Sequence, residues 1–454
     1  MQRNRGIRLA ALAGVGALVL TGCLQSGDDG GSSSSSSSSS GGSEGAGGSD
    51  PGDGEVEILG AIVDTEQEAF ETALVPFEEE SGIDVKYTGD NTFTTLVRQN
   101  VQSGNPPDIG LFPQPGLLLD LAGDGSIVPI DEFLDSASLE GSLIPGLLDS
   151  TTDDEGTVFG APMRVAVKSL VWVPKQAWEK GGYAEPKTYQ ELVGDLSEQI
   201  KSDGIAPWCL GMEAGTATGW YGTDWVEEMV LRTAGPDVYD QWVAHEIPFD
   251  DPAVQAGFDA YGEIVFGDDL VYGGTDGILN TAVETADDPQ FEDPPKCMMQ
   301  RQANFVIDFY PEDVQKNIDD SVTVFAMPPY EGGFDGNPVL GGGDMAALFN
   351  GEDDEAKQVM EFVTSDEFGA EWAKQGGWLS PHTTFDESNY PDQTTKDIAK
   401  IAGSADVFRF DASDLMPAEV GAGTFWTGMV DWTSGESDTA ETTAAIEESW
   451  PTSE

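Results

Sequence analysis

The stretch VEILGAIV, residues 56–63, reads as a buried β-strand that opens the folded part of the chain. It ends at Asp64, and acidic residues follow in what would be the first turn of a helix. Two further strands, IDVKY at 83–87 and DIGLF at 108–112, are separated by a helix predicted over 92–103. Strands that alternate with helices at this spacing predict an α/β fold with a largely parallel sheet.

The first 22 residues have the features of a secretion signal. Three arginines precede an apolar run, residues 9–20, that is too short to span a bilayer. The run ends in LTGC, residues 20–23, which is the pattern of a bacterial lipoprotein signal. In such proteins the chain is cut before the cysteine and its thiol is diacylated, so we expect Cys23 to anchor the protein at the extracellular face of the cell membrane.

Residues 23–54 form a segment rich in serine, glycine and aspartate, with nine consecutive serines at 32–40. Such a composition cannot bury enough apolar surface to fold, and it predicts a disordered tether between the anchor and the globular body.

The net charge of the chain is −63, from 20 basic and 83 acidic residues. This excess of acids excludes a nucleic-acid-binding protein that relies on phosphate contacts. The acids are spread along the whole chain, as on a solvated surface, and we interpret them as an adaptation to high salt or to an acid-tolerant envelope.

The stretch WCLGMEAGTATGWYGTDWVEEMVLR, residues 208–232, combines a Gly- and Thr-rich loop with a helix. Asp224 and Glu227 have the spacing of a capping box, which predicts that the helix begins at Trp225. Trp220 and Trp225 would then stack on a ring-shaped, hydroxyl-rich ligand. The alternative is that both are ordinary core residues.

A long β-rich run, TVFGAPMRVAVKSLVWV at 157–173, carries Arg164 and Lys168 on one strand face. Basic residues amid hydrophobic ones need partners. These two cations either contact a ligand or form buried salt bridges.

Cys209 and Cys297 remain once Cys23 is lipidated, and an even pair outside the cytoplasm predicts one disulfide. Two free buried thiols are the alternative.

The sequence also makes two local predictions. Residues 297–310 read as a helix followed by a strand, and the acidic tail after Thr433 reads as frayed.

Several segments, in order, resemble the extracellular solute-binding proteins of carbohydrate ABC transporters. They are PPDIGLF, PMRVAVKSLVWVPK, VTVFAMPPYEG, VLGGGDMAALFN and SDEFGAEWAKQGGWLSP, within residues 55–432. MRVAVKSLVW, GTATGWYGTDWVE and CMMQRQANF are most similar to the alpha-glucoside-binding subgroup. The resemblance implies a monomeric binding protein that delivers a sugar of the maltose or trehalose type to a membrane permease.

The resemblance also implies a two-lobed, type II periplasmic-binding-protein fold whose hinge strands flank a ligand cleft. Lobe 1 would comprise residues 55–167 and 322–376, and lobe 2 residues 168–321 and 377–450. The expected ligand-binding residues are Asp64, Glu66, Gln114, Arg164, Lys168, Trp220, Trp225, Phe309, Tyr310, Gly342, Asp344, Trp378 and Arg409.

A secreted glycoside hydrolase is the main alternative, because it also needs aromatic side chains and two carboxylates. Within residues 55–450 no G-x-S-x-G motif points to a serine hydrolase. The two histidines, His245 and His382, are too far apart in sequence to suggest a metal cluster, and we expect no metal, no cofactor and no catalysis.

Overall fold

The strands of the computed structural model, which describes residues 51–90, 92–153 and 155–451, form two sheets. The strands are β1 (Glu55–Gly60), β2 (Asp84–Gly89), β3 (Ile109–Phe112), β4 (Ala161–Val167), β5 (Leu170–Pro174), β6 (Ala206–Trp208), β7 (Cys297–Arg301), β8 (Val322–Ala326), β9 (Pro338–Leu348) and β10 (Val407–Phe410). The signal, Cys23 and the tether up to residue 50 lie outside the described residues.

The helices between these strands vary from short turns to an 18-residue helix. They are α1 (Asp64–Ser81), α2 (Phe93–Ser103), α3 (Pro115–Gly123), α4 (Ser136–Ser142), α5 (Lys175–Gly181), α6 (Tyr189–Glu191), α7 (Ser197–Ser202), α8 (Trp220–Ala234), α9 (Pro236–Val243), α10 (Pro252–Val265), α11 (Gly274–Asn280), α12 (Glu312–Gln315), α13 (Ile318–Ser321), α14 (Asp354–Val363), α15 (Ala370–Ala373), α16 (Gln393–Gly403), α17 (Ala412–Leu415), α18 (Trp426–Ser434) and α19 (Thr439–Glu447). None of the helices in the described ranges is both long and apolar enough to cross a membrane.

The first sheet has the order β10-β9-β3-β1-β2, with β4 also paired to β9. β1 runs parallel to both β2 and β3, which confirms the predicted strand–helix alternation. β9 runs antiparallel to β3 and to β4, so the sheet is mixed rather than largely parallel. The difference arises because β9 enters from the second sheet instead of following a helical crossover.

The second sheet has the order β6-β7-β5-β8. All five residues of β7 are buried, because β7 lies between β6 and β5. A 3-10 helix at Asn304–Asp308 follows it. The predicted order of helix then strand over 297–310 is therefore wrong, and the two elements occur in the opposite order.

The predicted disulfide is present between Cys209 and Cys297, whose Cα atoms are 5.4 Å apart. The backbone supports it, because Cys209 N donates to Met299 O at 2.8 Å at the end of the β6–β7 pair. The disulfide joins the first residue of β7 to the residue that directly follows β6, its neighbour in the second sheet.

The chain passes between the two sheets at three places. The first passage is Lys168–Ser169, which links β4 to β5, and the second lies between β8 and β9. The third follows β10, which pairs with β9 in the first sheet. The sheets differ from the expected lobes at two places: β8, expected in lobe 1, pairs with β5 in the second sheet, and β10, expected in lobe 2, pairs with β9 in the first.

Helix α8 begins five residues earlier than the capping-box spacing predicts. It starts at Trp220 after Gly219, which has φ 113°. A Cβ atom at Gly219 would lie 2.2 Å from the backbone oxygen of Trp426, so glycine is required there. Asp224 and Glu227 consequently lie inside the helix and are buried.

The acidic tail is ordered rather than frayed. Asp438 and Glu441 form a capping box at the start of α19. Ile446 is 1 % exposed, and the ring of Trp450 stacks on His245 with centroids 4.0 Å apart. The polar composition of the tail led to the prediction of a frayed end, but the capped helix and the contacts of Ile446 and Trp450 order it.

Candidate functional site

Three half-buried aromatic side chains form a row. Trp220 lies 6.3 Å from Phe305, and Phe305 lies 5.8 Å from Phe309, between ring centroids. Trp220 stands in the first turn of α8, and the two phenylalanines belong to the 3-10 segment after β7. Half-exposed rings in a row offer an apolar surface of the kind on which sugar rings stack.

Arg164, Asp344 and Glu66 meet on the first sheet. Arg164 and Asp344 are register partners on β4 and β9, and the guanidinium Nε donates to the Asp344 carboxylate. Its Nη1 donates to Glu66 Oε1 at 3.0 Å, and its Cζ lies 5.3 Å from the ring centroid of Trp372. Arg164 is therefore bound on two sides by carboxylates and on a third by an indole ring.

Asp308 connects this charged group to the aromatic row. It is exposed, yet desolvation by the surrounding protein raises the pKa of its carboxyl, and repulsion by Glu66 adds to the shift while Arg164 opposes it. The charges of Glu66 and Arg164 therefore act on Asp308, which is next in sequence to Phe309. An exposed group that is still partly desolvated is typical of a concave surface.

Lys168 lies at the other end of the row. Its Nζ donates to Asp224 Oδ1 at 2.9 Å and to the Asp411 carboxylate, and it lies 5.8 Å from the ring centroid of Trp220. Burial lowers the pKa of Lys168, but the charges of Asp224 and Asp411 outweigh burial and raise it. The ammonium group therefore stays charged. Both Arg164 and Lys168 are in salt bridges, which is the second of the two alternatives.

One face of helix α8 contacts the residues at all three passages between the sheets. The Glu228 carboxylate accepts from Ser169 Oγ at 2.8 and 2.9 Å, next to the first passage. Arg232 Nη2 donates to Pro338 O at 3.1 Å, at the second. Glu227 Oε1 accepts from Ser413 N at 3.1 Å, after the third. The helix that carries Trp220 is thus hydrogen-bonded to residues at or next to all three passages.

Of the remaining expected site residues, Asp64 and Gly342 lie near these groups. Asp64 has a positive φ of 54° at the start of α1, two residues before Glu66. Gln114 precedes α3, and its Oε1 makes no hydrogen bond to the protein. A Cβ at Gly342 would lie 3.9 Å from Lys168 Cε, which places this glycine beside the lysine.

Four expected site residues have other roles. Trp225 and Trp378 are 0 % and 1 % exposed and lie in the hydrophobic core. Tyr310 packs against Trp172 and Phe291. Arg409 donates to both oxygens of Asp240 at 2.6 and 2.8 Å and to Asp149 at 3.1 Å, so its guanidinium holds two chain segments together. The structure places none of these four on the aromatic row.

Sequence reasoning missed Phe305 and Trp372. Phe305 precedes Phe309 by four positions, but the helix-then-strand reading of 297–310 hid their common side. Trp372 is 2 % exposed and contacts Arg164, and only the tertiary structure brings the two together. Of the two, Phe305 could have been predicted more easily, since it lies in the quoted segment CMMQRQANF.

Residues 60–370 match the family model described as bacterial extracellular solute-binding protein. The osmoprotective compounds-binding protein GgtB of Synechocystis sp. is 45% identical over 397 residues, which cover 87% of this chain and 92% of that protein. The alpha-glucosides-binding periplasmic protein AglE of Rhizobium meliloti is 36% identical over 399 residues, with 87% and 86% covered.

Solved structures share the fold at low identity. The solute receptor AcbH, described with a preference for β-D-galactopyranose, gives a TM-score of 0.73 at 18% identity over 87% of this chain and 97% of that one. The cyclic alpha-maltosyl-1,6-maltose binding protein of Arthrobacter globiformis gives 0.64 at 17% identity over 87% and 97%. The two sheets therefore lie in two lobes of the expected kind.

Proposed function

Because the chain belongs to the bacterial extracellular solute-binding protein family, and so is a binding component of an ABC importer rather than an enzyme, we propose that its ligand is an uncharged glucoside. The ligand would lie along the row of Trp220, Phe305 and Phe309. Lys168 Nζ lies 5.8 Å from the ring of Trp220 at one end of the row, and Asp308, which precedes Phe309 at the other end, is influenced by the charges of Glu66 and Arg164.

The observation that carries this proposal is the pairing of the cations. Arg164 and Lys168 each contact two carboxylates, so neither is left to bind an anionic ligand. What the row offers instead is aromatic faces together with carboxylate oxygens. Aromatic faces suit the C–H surfaces of a sugar, and charged acceptors strengthen hydrogen bonds from its hydroxyl groups.

One of the two relatives supports an α-linked ligand, and the other is compatible with it. One is named for alpha-glucosides and the other for osmoprotective compounds. An uncharged α-glucoside of the maltose or trehalose type fits both descriptions. A zwitterionic osmoprotectant with a quaternary ammonium group is the competing ligand class, because aromatic rings and carboxylates also bind cations.

Isothermal titration calorimetry with four compounds tests the proposal. Maltose and trehalose represent α-linked glucosides, cellobiose is the β-linked control, and glycine betaine represents the zwitterions. We expect a dissociation constant in the micromolar range or lower for at least one α-glucoside and at least tenfold weaker binding of cellobiose. Binding of glycine betaine alone, or of none of the four, would contradict the proposal.

We also propose that the protein is a monomer held at the outer face of the membrane by lipid on Cys23, which follows the LTG of the signal. Replacing Cys23 with alanine should release the protein into the medium or leave it unprocessed. Unchanged processing and membrane association of the variant would contradict the anchor. Light scattering of the purified protein that gives twice the chain mass would contradict the monomer.

A further inference from the structure

A single phenol hydroxyl bonds both backbone polar groups of Ile62, in the turn between β1 and α1. Tyr87 OH accepts from Ile62 N at 3.0 Å and donates to Ile62 O at 2.9 Å. Tyr87 is the register partner of Ile58 on β1, so its side chain reaches past the last paired residues, Gly60 and Gly89. The hydroxyl therefore continues the pairing of β1 with β2 beyond the point where the two strands end.

Two glycines leave the space that this arrangement needs. A Cβ atom at Gly60 would lie 2.6 Å from Tyr87 OH, and a Cβ atom at Gly89 would clash with Ile62 O. A glycine inside a strand often marks a place where another group approaches the backbone closely. Both strands therefore end in a residue that lets the phenol and the turn come together.

The turn that Tyr87 holds leads directly to charged side chains of the candidate site. Asp64, two residues after Ile62, has a φ of 54°, which is uncommon for a residue other than glycine. Such a conformation persists where the surrounding structure enforces it, and the two bonds to Ile62 do so here. Glu66 accepts from Arg164 Nη1 through Oε1, and its Oε2 makes no hydrogen bond within the described residues. That oxygen can accept a hydrogen bond from a solute hydroxyl group.

The ring of Tyr87 is also connected to these charged side chains by packing. It lies 4.7 Å from the ring of Phe70 on α1, and Phe70 lies 6.1 Å from Trp372, between ring centroids. The Trp372 ring is the one that contacts Arg164. Burial raises the pKa of the Tyr87 hydroxyl, and the charges of Asp344 and Arg164 also act on it. A continuous series of ring contacts thus joins Tyr87 to the guanidinium of Arg164.

We propose that Tyr87 is a positioning residue for solute binding, whose hydroxyl fixes the turn between β1 and α1 and, through the turn, the carboxylate of Glu66. Without the hydroxyl, Ile62 would lose both bonds and the turn would have more conformations available to it. Solute binding would then have to order the turn, which weakens affinity without removing any contact to the solute. The effect on affinity rests on the proposed function, because it requires a solute that contacts Glu66.

Tyr87→Phe tests the inference, because it removes the hydroxyl and keeps the ring against Phe70. We expect the dissociation constant of the best-binding α-glucoside to rise about tenfold, measured by calorimetry at a temperature where the variant is folded. Hydrogen exchange of the solute-free protein, followed by mass spectrometry, should be faster in peptides that cover residues 61–66 and unchanged in β3. The exchange measurement reports on the turn alone, since it needs no ligand.

Two further variants separate positioning from a general loss of stability. Tyr183→Phe is the matched control, because the Tyr183 hydroxyl donates to Asp203 at 2.7 Å, directly after α7. It should keep parent-like affinity and parent-like exchange over residues 61–66. Gly89→Ala keeps the phenol but displaces Ile62 O, so it should weaken affinity as Tyr87→Phe does. It also takes the place of Tyr87→Phe if circular dichroism shows that this variant does not fold.

Three results would overturn the inference. The first is parent-like affinity of a folded Tyr87→Phe variant, even with a lower melting temperature, because the hydroxyl would then serve stability alone. The second is weaker affinity with unchanged exchange over residues 61–66, which would place the cause elsewhere. The third is an equal loss of affinity in Tyr183→Phe. If the parent binds none of the four compounds, the proposed function fails. Exchange over residues 61–66 then decides the inference: faster exchange in Tyr87→Phe supports it, and unchanged exchange overturns it.

Discussion

Trp225 lies almost parallel to Tyr261, with ring centroids 5.0 Å apart and an angle of 9° between the ring planes. Trp208 meets the same indole nearly edge-on at 5.3 Å. Trp220, five positions earlier on the same helix, remains half-exposed and next to Phe305. One helix thus carries two tryptophans with opposite environments, and substitution of each should affect a different property.

Replacing Trp220 with alanine should weaken binding of the best α-glucoside with little change in stability. Loss of a ring at a binding hot spot costs about 2–4 kcal/mol, which corresponds to roughly 30- to 1000-fold in the dissociation constant. Trp225→Ala is the matched control and should instead lower the free energy of unfolding by about 3–5 kcal/mol. Calorimetric affinity and melting temperature are measured on both variants. Parent-like affinity of a folded Trp220→Ala variant would remove the aromatic row from the site.

The disulfide should contribute strongly to stability, because Cys209 and Cys297 are 88 positions apart. Closing a loop of that length restricts the unfolded chain by about 4–5 kcal/mol in the entropic model. The double variant Cys209→Ser, Cys297→Ser should therefore have a free energy of unfolding lower by that amount, and so a lower urea midpoint. The parent protein under full reduction is the control and should behave like the double variant. Identical urea midpoints for the oxidised parent and the variant would contradict the expectation.

Asp287 should make stability fall as the pH rises through the weakly acidic range. The residue is 0 % exposed, its side-chain oxygens make no hydrogen bond to other residues, and burial raises the pKa of the carboxyl to about 7. The folded protein therefore binds a proton more tightly than the unfolded chain, whose pKa is about 3.8. Stability from this proton is full below pH 4, declines between pH 4 and 7, and is absent above pH 7.

Asp287→Asn tests this expectation. At pH 8 the variant should be more stable than the parent by up to about 4 kcal/mol, and near pH 4 the difference should vanish. Glu284→Gln, at an exposed carboxylate in the same segment, should leave the pH profile unchanged. Urea denaturation at pH 4, 6 and 8 gives the three profiles. A constant difference between Asp287→Asn and the parent at all three values would contradict the assigned pKa.

Salt should raise the melting temperature. At a net charge of −63, carboxylates on the surface repel one another, and mobile cations screen that repulsion. Differential scanning calorimetry in NaCl and in KCl, from 0.05 to 2 M, should show the same rise with both salts if screening is the cause. A melting temperature that stays flat or falls over this range would contradict an adaptation to high salt.

The parts of the fold that follow local rules could be predicted from the sequence. The strand–helix order from β1 to β3 depends on periodicity and turn residues that lie close together in the chain. The pairing of Cys209 with Cys297 was predicted because they are the two cysteines left once Cys23 is assigned to the expected lipoprotein signal. Arg164 and Asp344 were both expected in the site, and they turned out to be register partners.

Features that depend on tertiary contacts could not be predicted. The start of α8 is determined by how closely Gly219 approaches the backbone of Trp426, a residue more than 200 positions later. Asp224 and Glu227 have capping-box spacing, but Lys168 and Ser413 bind them from distant segments, so the same spacing serves a buried ion cluster. Local rules cannot distinguish a helix end from a helix interior when the deciding partners are far away in sequence.

The Cys209–Cys297 bond also constrains how the protein is made. Its two cysteines are 1 % and 0 % exposed, so an oxidant cannot easily reach the sulfur atoms once the second sheet has formed. At a synthesis rate of about 5–20 residues per second, the two thiols leave the ribosome roughly 4–18 s apart. A chain that folded in a reducing cytoplasm would bury both thiols before they could be oxidised. Oxidation must therefore act on the secreted chain while it is still folding, so the timing of export decides whether the mature protein carries its crosslink.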